Sequence, residues 1–496
     1  MEATDLIIAV ESLTGVKNIS RRPSDTPVGE PPASRVCCDS RRVTPGDIFV
    51  AVRGLQVDGH DYIDQAIRRG ASLIVAQRPA PVPEGVKLLL VENSAAALGH
   101  LAQFSCGQPS KHLKVLGVTG TNGKTTVTYL VRQMLLEAGV RCGLLGTVQY
   151  DLGGDRLIKA DNTTPDAVRL ADMMRQMQNN GLAAAVMECS SHGLHQQRTA
   201  GIHFTAAAFT NLTGDHLDYH HSEKEYLQAK GILFQGLSQD AAAIINGDDK
   251  AGPYLAEITK ARVWRYGFNG DFDISAKIEN KGIWGARFKL KLFDHTMAAQ
   301  TKLIGDHNVT NCLTAAGLAR AAGADDRAIA AGIQNLTAVP GRLERIEAAQ
   351  EFTVLVDYAH TDDALEHSLK TVRDLAQNQV IVVFGCGGQR DRTKRPRMAR
   401  VAQRYADRII VTNDNPRRED PRQIRNEILA GFSTPHREKV IEIADRKAAL
   451  AEAISHAQPG DVVLIAGKGH EDYQIVGSEV LDFDDRAVAR EIIQNS

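Results

Sequence analysis

The stretch GVTGTNGKTT, Gly117 to Thr126, follows an apolar run (Leu113 to Val118) and leads into a helical one (Thr125 to Leu136). That order predicts a strand, a glycine turn and a helix, the unit that holds a triphosphate. Gly120 and Gly123 let backbone N–H groups close on phosphates, Lys124 supplies positive charge, and the Thr125 hydroxyl is placed to reach a Mg²⁺ bound to them. The common phosphate-loop spacing puts its first glycine at position 118, which here is Val118. The match is therefore to a variant, Gly120-Thr121-Asn122-Gly123-Lys124-Thr125-Thr126.

Around this loop the composition sets bounds. A chain of 496 residues with 43% hydrophobic content is globular, and it is too long for one core, so roughly three domains are expected. Lys+Arg 58 against Asp+Glu 60 leaves a net charge of -2. No overall field then favours nucleic acid or an anionic membrane surface, and a polyanion has to be held by local clusters. The opening MEATDLIIAV is acidic where a secretory signal would be basic, and no apolar run approaches the ~18 residues of a membrane span. A cytoplasmic protein with no membrane insertion is expected. The cysteines, Cys37, Cys38, Cys106, Cys142, Cys189, Cys312 and Cys386, form neither CxxC pairs nor a disulfide-like framework and read as reduced thiols.

Working outward, a proline-rich stretch, 22–32, interrupts a first domain that otherwise predicts short strands at 47–52, 72–75 and 87–91 and a helix at 61–69. The polar segment 103–114 leads into the phosphate loop. From there to about Val339, apolar runs at 183–189, 206–212 and 241–245 read as buried parallel strands, followed by a β-rich patch, 261–303. After Pro340-Gly341 the alternation restarts at 352–356, 380–384, 408–412 and 461–465. The expected class is α/β with three domains: 1–108, small and α/β; 109–339, the central phosphate-loop sheet; and 340–496, a Rossmann-like unit.

Ligands of open parallel sheets bind beyond the carboxyl ends of the strands, and here nearly every apolar run ends in reactive side chains. Glu188 to His192, Thr210 to His216, Asp357 to His360, Gly385 to Gly388, Asn413 to Arg417 and Gly467 to Glu471 all follow such runs. Their division between two sheets predicts an active site in the cleft between two domains.

Within these clusters Glu188 and Thr125 offer oxygen ligands suited to Mg²⁺, although a strand-end glutamate also serves as a helix-cap partner. His216, in Asp215-His216-Leu217-Asp218-Tyr219-His220, reads either as part of a metal site, with Mg²⁺ favoured over Zn²⁺, or as a buried structural histidine. Lys230, on its own, reads as a surface helix lysine. The basic segment 389–400, with Arg390, Arg392, Lys394, Arg395, Arg397 and Arg400, is either a solvated face or a bidentate site for carboxylates or phosphates. No aromatic residues interleave with it, which disfavours nucleic acid.

Together these motifs resemble those of the Mur ligases, the ATP-dependent amino-acid-adding enzymes of peptidoglycan precursor synthesis, from about Asp39 to Gly477. The matches are the loop at Gly120, Asn162-Thr163-Thr164-Pro165, Glu188 with Ser190-Ser191-His192, Asn211-Leu212 with Asp215-His216-Leu217-Asp218, Ala229-Lys230, Gly341-Arg342-Leu343-Glu344, Asp357-Tyr358-Ala359-His360 and Asp414-Asn415-Pro416-Arg417. The resemblance implies a UDP-binding domain, a central ATPase domain and a Rossmann-like amino-acid-binding domain, acting as a monomer. It implies that Ser40 and Gln56 hold the uridine diphosphate of UDP-N-acetylmuramoyl-L-alanyl-D-glutamate. Asn162, Thr163, Thr164, Ser190, Gln196 and Arg198 would hold its muramoyl-dipeptide part. Lys230 matches a lysine that members carry as a carbamate, which with Glu188 and His216 would position a second Mg²⁺. Asn308, Arg342 and Asp357 would lie near the adenine, phosphates and ribose of ATP.

Asp414, Asn415, Pro416 and Arg417 look like the meso-diaminopimelate signature, with Arg417 forking the distal carboxylate that lysine lacks, supported by Arg390, Gly467 and Glu471. Two departures stand out: Asp362 where members usually have proline, and Gly214 where a larger residue is common. The implied chemistry is formation of an acyl phosphate from ATP and its capture by an amine, with closure of the last domain needed for turnover. A lysine-adding or folylpolyglutamate-synthase-like ligase, a phosphate-loop ATPase driving a partner, and a non-catalytic nucleotide-binding module are the alternatives.

Overall fold

The computed structural model describes residues 35–213, 217–220, 222–348, 350–437 and 440–495. The proline-rich stretch 22–32, Gly214 and the Asp215-His216 pair lie outside the described residues.

Among the described residues three large sheets follow one another along the chain, with a two-stranded ribbon, Tyr473–Val476 and Glu479–Asp482, after the last. The first has four parallel strands in chain order, Val36–Cys37, Ile48–Val50, Leu73–Ala76 and Lys87–Leu90. Apolar clusters cover both of its faces. Its helix Ser94–Ser105 lies so close to the central domain that a Cβ on Gly99 would stand 2.4 Å from the Ala200 carbonyl oxygen.

The central sheet has eleven strands among the described residues. Its middle runs in the order Ala242–Asn246, Phe204–Phe209, Lys114–Thr119, Ala184–Glu188 and Cys142–Leu145, all parallel. These strands are buried almost throughout, because helices cover both faces and leave no polar side to alternate. On one face the helix Lys124–Glu137 inserts Val127, Leu130, Val131, Met134 and Leu135, spaced for a single helical stripe. The predicted β-rich patch extends this same sheet, with Arg262–Gly267 and Ile274–Gly282 still parallel and Gly285–Leu292 and His295–Thr301 antiparallel. At the opposite edge Gln149–Asp151 and Ile158–Lys159 pair antiparallel. Neither they nor Cys142–Leu145 are signalled by an apolar run long enough to be read locally.

The third sheet has six strands among the described residues, in the order Glu344–Ile346, Thr353–Asp357, Val462–Ala466, Val380–Phe384, Arg408–Val411 and Val440–Glu442. All pair parallel except the first. Clusters on both faces bury it. Among the described residues no helix is long and apolar enough to cross a membrane. The reactive segments predicted at the strand ends of the second and third sheets line two adjoining cavities between those domains.

Candidate active site

The phosphate loop bends where only glycine fits. Gly120 has φ 145° and a Cβ there would stand 1.9 Å from the Thr210 hydroxyl; Gly123 has φ 87° and a Cβ there would meet the Asn311 carboxamide oxygen at 2.4 Å. Lys124 donates to the Gly120 and Thr121 carbonyls at 2.9 and 2.8 Å, which folds its ammonium over the loop. The Asn211 carboxamide accepts from the Asn122 N–H at 2.9 Å, and the Thr121 hydroxyl bonds Tyr226 at 3.2 Å. The loop is thus braced by the next strand end.

These residues, Gly120 to Thr126, line a cavity of about 530 Å³. Glu188, Ser190, Lys230, Asn308, Arg342 and Asp357 line it too. Glu188 is 1% exposed, and its carboxylate accepts from the Thr147 N–H and hydroxyl at 2.9 and 3.0 Å. Its bonds therefore run to Thr147, whereas the cap of the following short helix is Ser190. Lys230 departs from the local reading of its helix. It is 1% exposed rather than on the surface, with its ammonium 4.0 Å from the Tyr226 ring centre. Lys230 lies on the same helical stripe as Tyr226, Ala229, Leu233 and Phe234, the buried face of Glu223–Gln235, so its place on the helix, against its charged chemistry, takes it inside. Among the described residues no three His, Cys, Asp or Glu side chains converge as a metal cluster, and His216 lies outside them.

The third domain closes this cavity. The Arg342 guanidinium donates to the Thr125 hydroxyl at 3.1 Å and lies 4.8 Å from the Tyr358 ring centre. Asp363 accepts from Asn122 and from the Thr213 hydroxyl at 3.2 and 3.1 Å. Asp357 accepts from the Leu343 and Ala359 N–H groups at 2.7 and 3.0 Å and from Ser368 at 2.9 Å. Burial still holds its carboxyl above the usual range, against the pull of Arg342. Asn308 and Asn311 are linked at 2.9 Å, one helical turn apart.

A second cavity of about 1180 Å³ adjoins the first and shares Thr147, Thr163, Tyr358, His360 and Thr361 with it. Asn162 lines it from the central domain, and Arg390, Asp414, Asn415, Arg417, Gly467 and Glu471 from the third. Asn415 donates to Glu471 at 2.7 Å and accepts from the Ile475 N–H at 2.9 Å. Burial, followed by the charge of Asp414, raises the Glu471 carboxyl above its ordinary range. Arg417 holds φ 53°, a left-handed backbone that arginine adopts only under constraint. It is pinned by its N–H to Ile475 at 3.0 Å and its carbonyl from Gly477 at 2.7 Å, while its guanidinium donates to Gly388 at 2.9 Å. Pro416 is buried beneath, and its carbonyl oxygen would lie 2.0 Å from a Cβ on Gly388. His470, on the same wall, is pushed down to about 3 by burial and keeps a neutral ring.

Other predicted residues stand behind these walls. The Thr164 hydroxyl donates to the Glu188 carbonyl at 2.9 Å and is hydrogen-bonded to the Ser190 hydroxyl at 3.1 Å, and Arg198 donates to the Thr164 carbonyl at 2.6 Å and to Gln196 at 2.8 Å. Ser40 and Gln56 line neither of the two cavities; Ser40 donates to Gln65 at 2.6 Å within the first domain. The basic segment divides. Arg395 is fully buried and held by Glu419 and Glu427 at 2.7 Å each, and Arg392 also pairs with Glu427. Lys394 donates to the His360 carbonyl at 2.8 Å, and Arg397 to Asp362 at 2.7 Å. Arg390 remains exposed at the cavity wall. Thr147, Asn311 and Asp363 are site residues that local sequence reading misses; only Asn311, three positions beyond Asn308, carried a spacing signal.

Oxygen donors at Thr125 and Glu188 beside a glycine cradle form a set that fits Mg²⁺ with phosphate oxygens, since that ion takes few carboxylates and little else from the protein.

Comparison with known proteins bears on this geometry. Residues 33–105 match the model described as Mur ligase family, catalytic domain; residues 118–319 match the Mur ligase middle domain; and residues 341–469 match the Mur ligase, glutamate ligase domain. The UDP-N-acetylmuramoyl-L-alanyl-D-glutamate--2,6-diaminopimelate ligase of Geobacillus thermodenitrificans is 47% identical over 472 residues, covering 94% of this chain and 96% of that one. The protein of the same name from Bacillus licheniformis is 42% identical, covering 97% of this chain and 98% of that one. A solved structure of a protein so named superimposes with a TM-score of 0.71 at 32% identity, covering 98% and 99% of the two chains.

Proposed function

This chain belongs to the Mur ligase family, and from that premise we propose that it is an ATP-dependent ligase adding meso-diaminopimelate to UDP-N-acetylmuramoyl-L-alanyl-D-glutamate in the cytoplasm. The observation that carries this reading is the shared wall of the two cavities. A nucleotide in the phosphate-loop cavity and an amino acid in the larger one would meet at Tyr358, His360, Thr147 and Thr163.

A carboxylate does not acylate an amine at neutral pH, because oxide is too poor a leaving group. In the proposed sequence the side-chain carboxylate of D-glutamate attacks the γ-phosphorus of ATP, forming an acyl phosphate and releasing ADP. The amine of diaminopimelate then attacks the acyl carbon, and phosphate leaves from the tetrahedral intermediate. Lys124, the loop N–H groups and Arg342 oppose the charge that gathers around the transferred phosphoryl group, so catalysis is largely positioning and electrostatic stabilisation. Asn308 and Asp357 orient the nucleoside. Bound Mg²⁺ would neutralise phosphate charge, with Thr125, Glu188, His216 and Lys230, the last as a carbamate, as the residues to hold it.

Asn162, Thr163 and Ser190 would receive the peptide end of the UDP substrate, with Thr164, Gln196 and Arg198 bracing them; Ser40 and Gln56 would hold its uridine diphosphate. Arg417 and Arg390 would take the distal carboxylate of diaminopimelate, and Glu471 with Asp414 the ammonium group at one end, leaving the other nitrogen to attack as the free amine. Diaminopimelate is favoured over lysine, since the half-buried guanidinium of Arg417 would gain a charge-assisted fork with the distal carboxylate that lysine cannot offer.

The test is product identity. Incubation with ATP, Mg²⁺ and the UDP-dipeptide, with meso-diaminopimelate or L-lysine supplied in turn, should give a tripeptide product by mass spectrometry with the first only. A lysine adduct formed at a comparable rate would overturn the assignment of substrate.

A further inference from the structure

Arg446 lies outside both cavities and is buried to 2% exposure. It is the first residue of the helix Arg446–Ser455, where the helix dipole disfavours a cation, and burying a guanidinium is costly in itself. Such a placement calls for compensating contacts, and they are specific. Nε and Nη2 donate in parallel to the Asp485 carboxylate at 2.8 and 2.7 Å, and neither side chain of the pair is exposed. Two further donors go to backbone carbonyls: Nη2 to Ala466 at 3.0 Å and Nη1 to Asn413 at 3.3 Å.

Those two carbonyls immediately precede the two segments assigned above to the amino acid. Asn413 leads into Asp414 to Arg417, and Ala466 into Gly467 to Glu471. Their strands, Arg408–Val411 and Val462–Ala466, are not neighbours in the sheet, because Val380–Phe384 runs between them. Each pairs with that middle strand, which spaces the strands, but no direct ladder crosses the gap between the two segments that continue beyond them. At the cavity the Asn415–Glu471 bond spans it; from behind, Arg446 spans it. The carboxylates of Asp414 and Glu471 also lie within its electrostatic reach.

We propose that the buried Arg446–Asp485 pair sets the spacing of the two segments that receive the incoming amino acid, making Arg446 a positioning residue for ligation. This rests on the assignment of the larger cavity to the amino acid under Proposed function. A guanidinium suits the task because its rigid planar fork serves one carboxylate and two carbonyls at once, whereas an ammonium on a flexible stem does not hold that geometry.

The experiment is steady-state kinetics on the full-length chain with ATP, the UDP-dipeptide and meso-diaminopimelate each varied. The variants are Arg446→Lys and the apolar double variant Arg446→Met/Asp485→Leu, with folding followed by thermal melting. Arg446→Lys keeps the charge beside Asp485 but loses the shared grip on the carbonyls; the double variant removes both charges together, a change buried pairs often tolerate. The expected result is a KM for meso-diaminopimelate raised about tenfold or more in both, as follows from misplacing binding groups by a fraction of an ångström, with KM for ATP and the UDP-dipeptide within about twofold of the parent. Equal changes in all three constants, or none, would overturn the proposal. So would failure of both variants to fold, which would assign the pair to stability alone. A parent protein with no amino-acid-dependent turnover would refute the functional reading instead, and that measurement comes first.

Discussion

Arg342, at the start of the third domain, donates to the hydroxyl of Thr125, on the phosphate loop of the second, at 3.1 Å. With the bonds of Asp363 to Asn122 and Thr213, it joins the two domains where the nucleotide is expected, and the Tyr358 ring under the same guanidinium directs it there. Arg342→Ala is expected to lower kcat/KM for ATP by about 10²-fold, on the scale of removing one charged donor from a developing anion. Half-buried and outside both cores, it should leave the melting temperature nearly unchanged. Kinetics and melting measured on one preparation check both halves.

Glu188 is set by its neighbour in space. A Cβ on Gly146 would stand 2.5 Å from the Glu188 Oε1, so Gly146→Ala should displace the carboxylate without removing it. The expected outcome is a rate lowered about 10²-fold, with more Mg²⁺ needed for half-maximal activity. An unchanged Mg²⁺ requirement would separate Glu188 from the metal.

The pair Arg395 and Glu419 is expected to add to acid sensitivity. Hydrogen bonding to Arg395 is the main reason the Glu419 carboxyl falls to about 2. A carboxyl depressed in the folded state contributes stability above its ordinary value, and that contribution is lost as pH falls from roughly 4.5 toward 2. Glu419→Gln should cost about 1.5–3 kcal/mol at neutral pH, the range for a hydrogen bond to a charged group, and should flatten the loss of stability in that acid window. Urea unfolding at pH 7 and at pH 3 measures both effects.

Arg417→Lys keeps a cation but loses the fork. It is expected to raise KM for meso-diaminopimelate by tenfold or more and to narrow its advantage over lysine. Competition between the two amino acids in one reaction reads the ratio directly.

Much of this site was legible locally, and the rest fails for identifiable reasons. The phosphate loop, Glu188 and the Asp414 to Arg417 segment follow apolar strands, so strand, turn and chemistry coincide in one stretch of chain. Lys230 reads as exposed from its charge, although its position one turn after Tyr226 puts it on the buried stripe of its own helix. The basic segment looked like one feature and is several: Arg395 is held by Glu419 and Glu427, 24 and 32 residues away in sequence. Thr147 carried no signal at all, since it follows a short strand, Cys142–Leu145, that becomes recognisable only beside Ala184–Glu188. Contacts that join distant segments stayed hidden, and those are the ones that pose the reactive groups.

The most direct measurement of the account is phosphate release from ATP by the purified protein, with the UDP-dipeptide and meso-diaminopimelate added separately and together. Coupling through an acyl phosphate predicts sustained release only with both present, and its loss in Lys124→Ala. Equal release from ATP alone would contradict it.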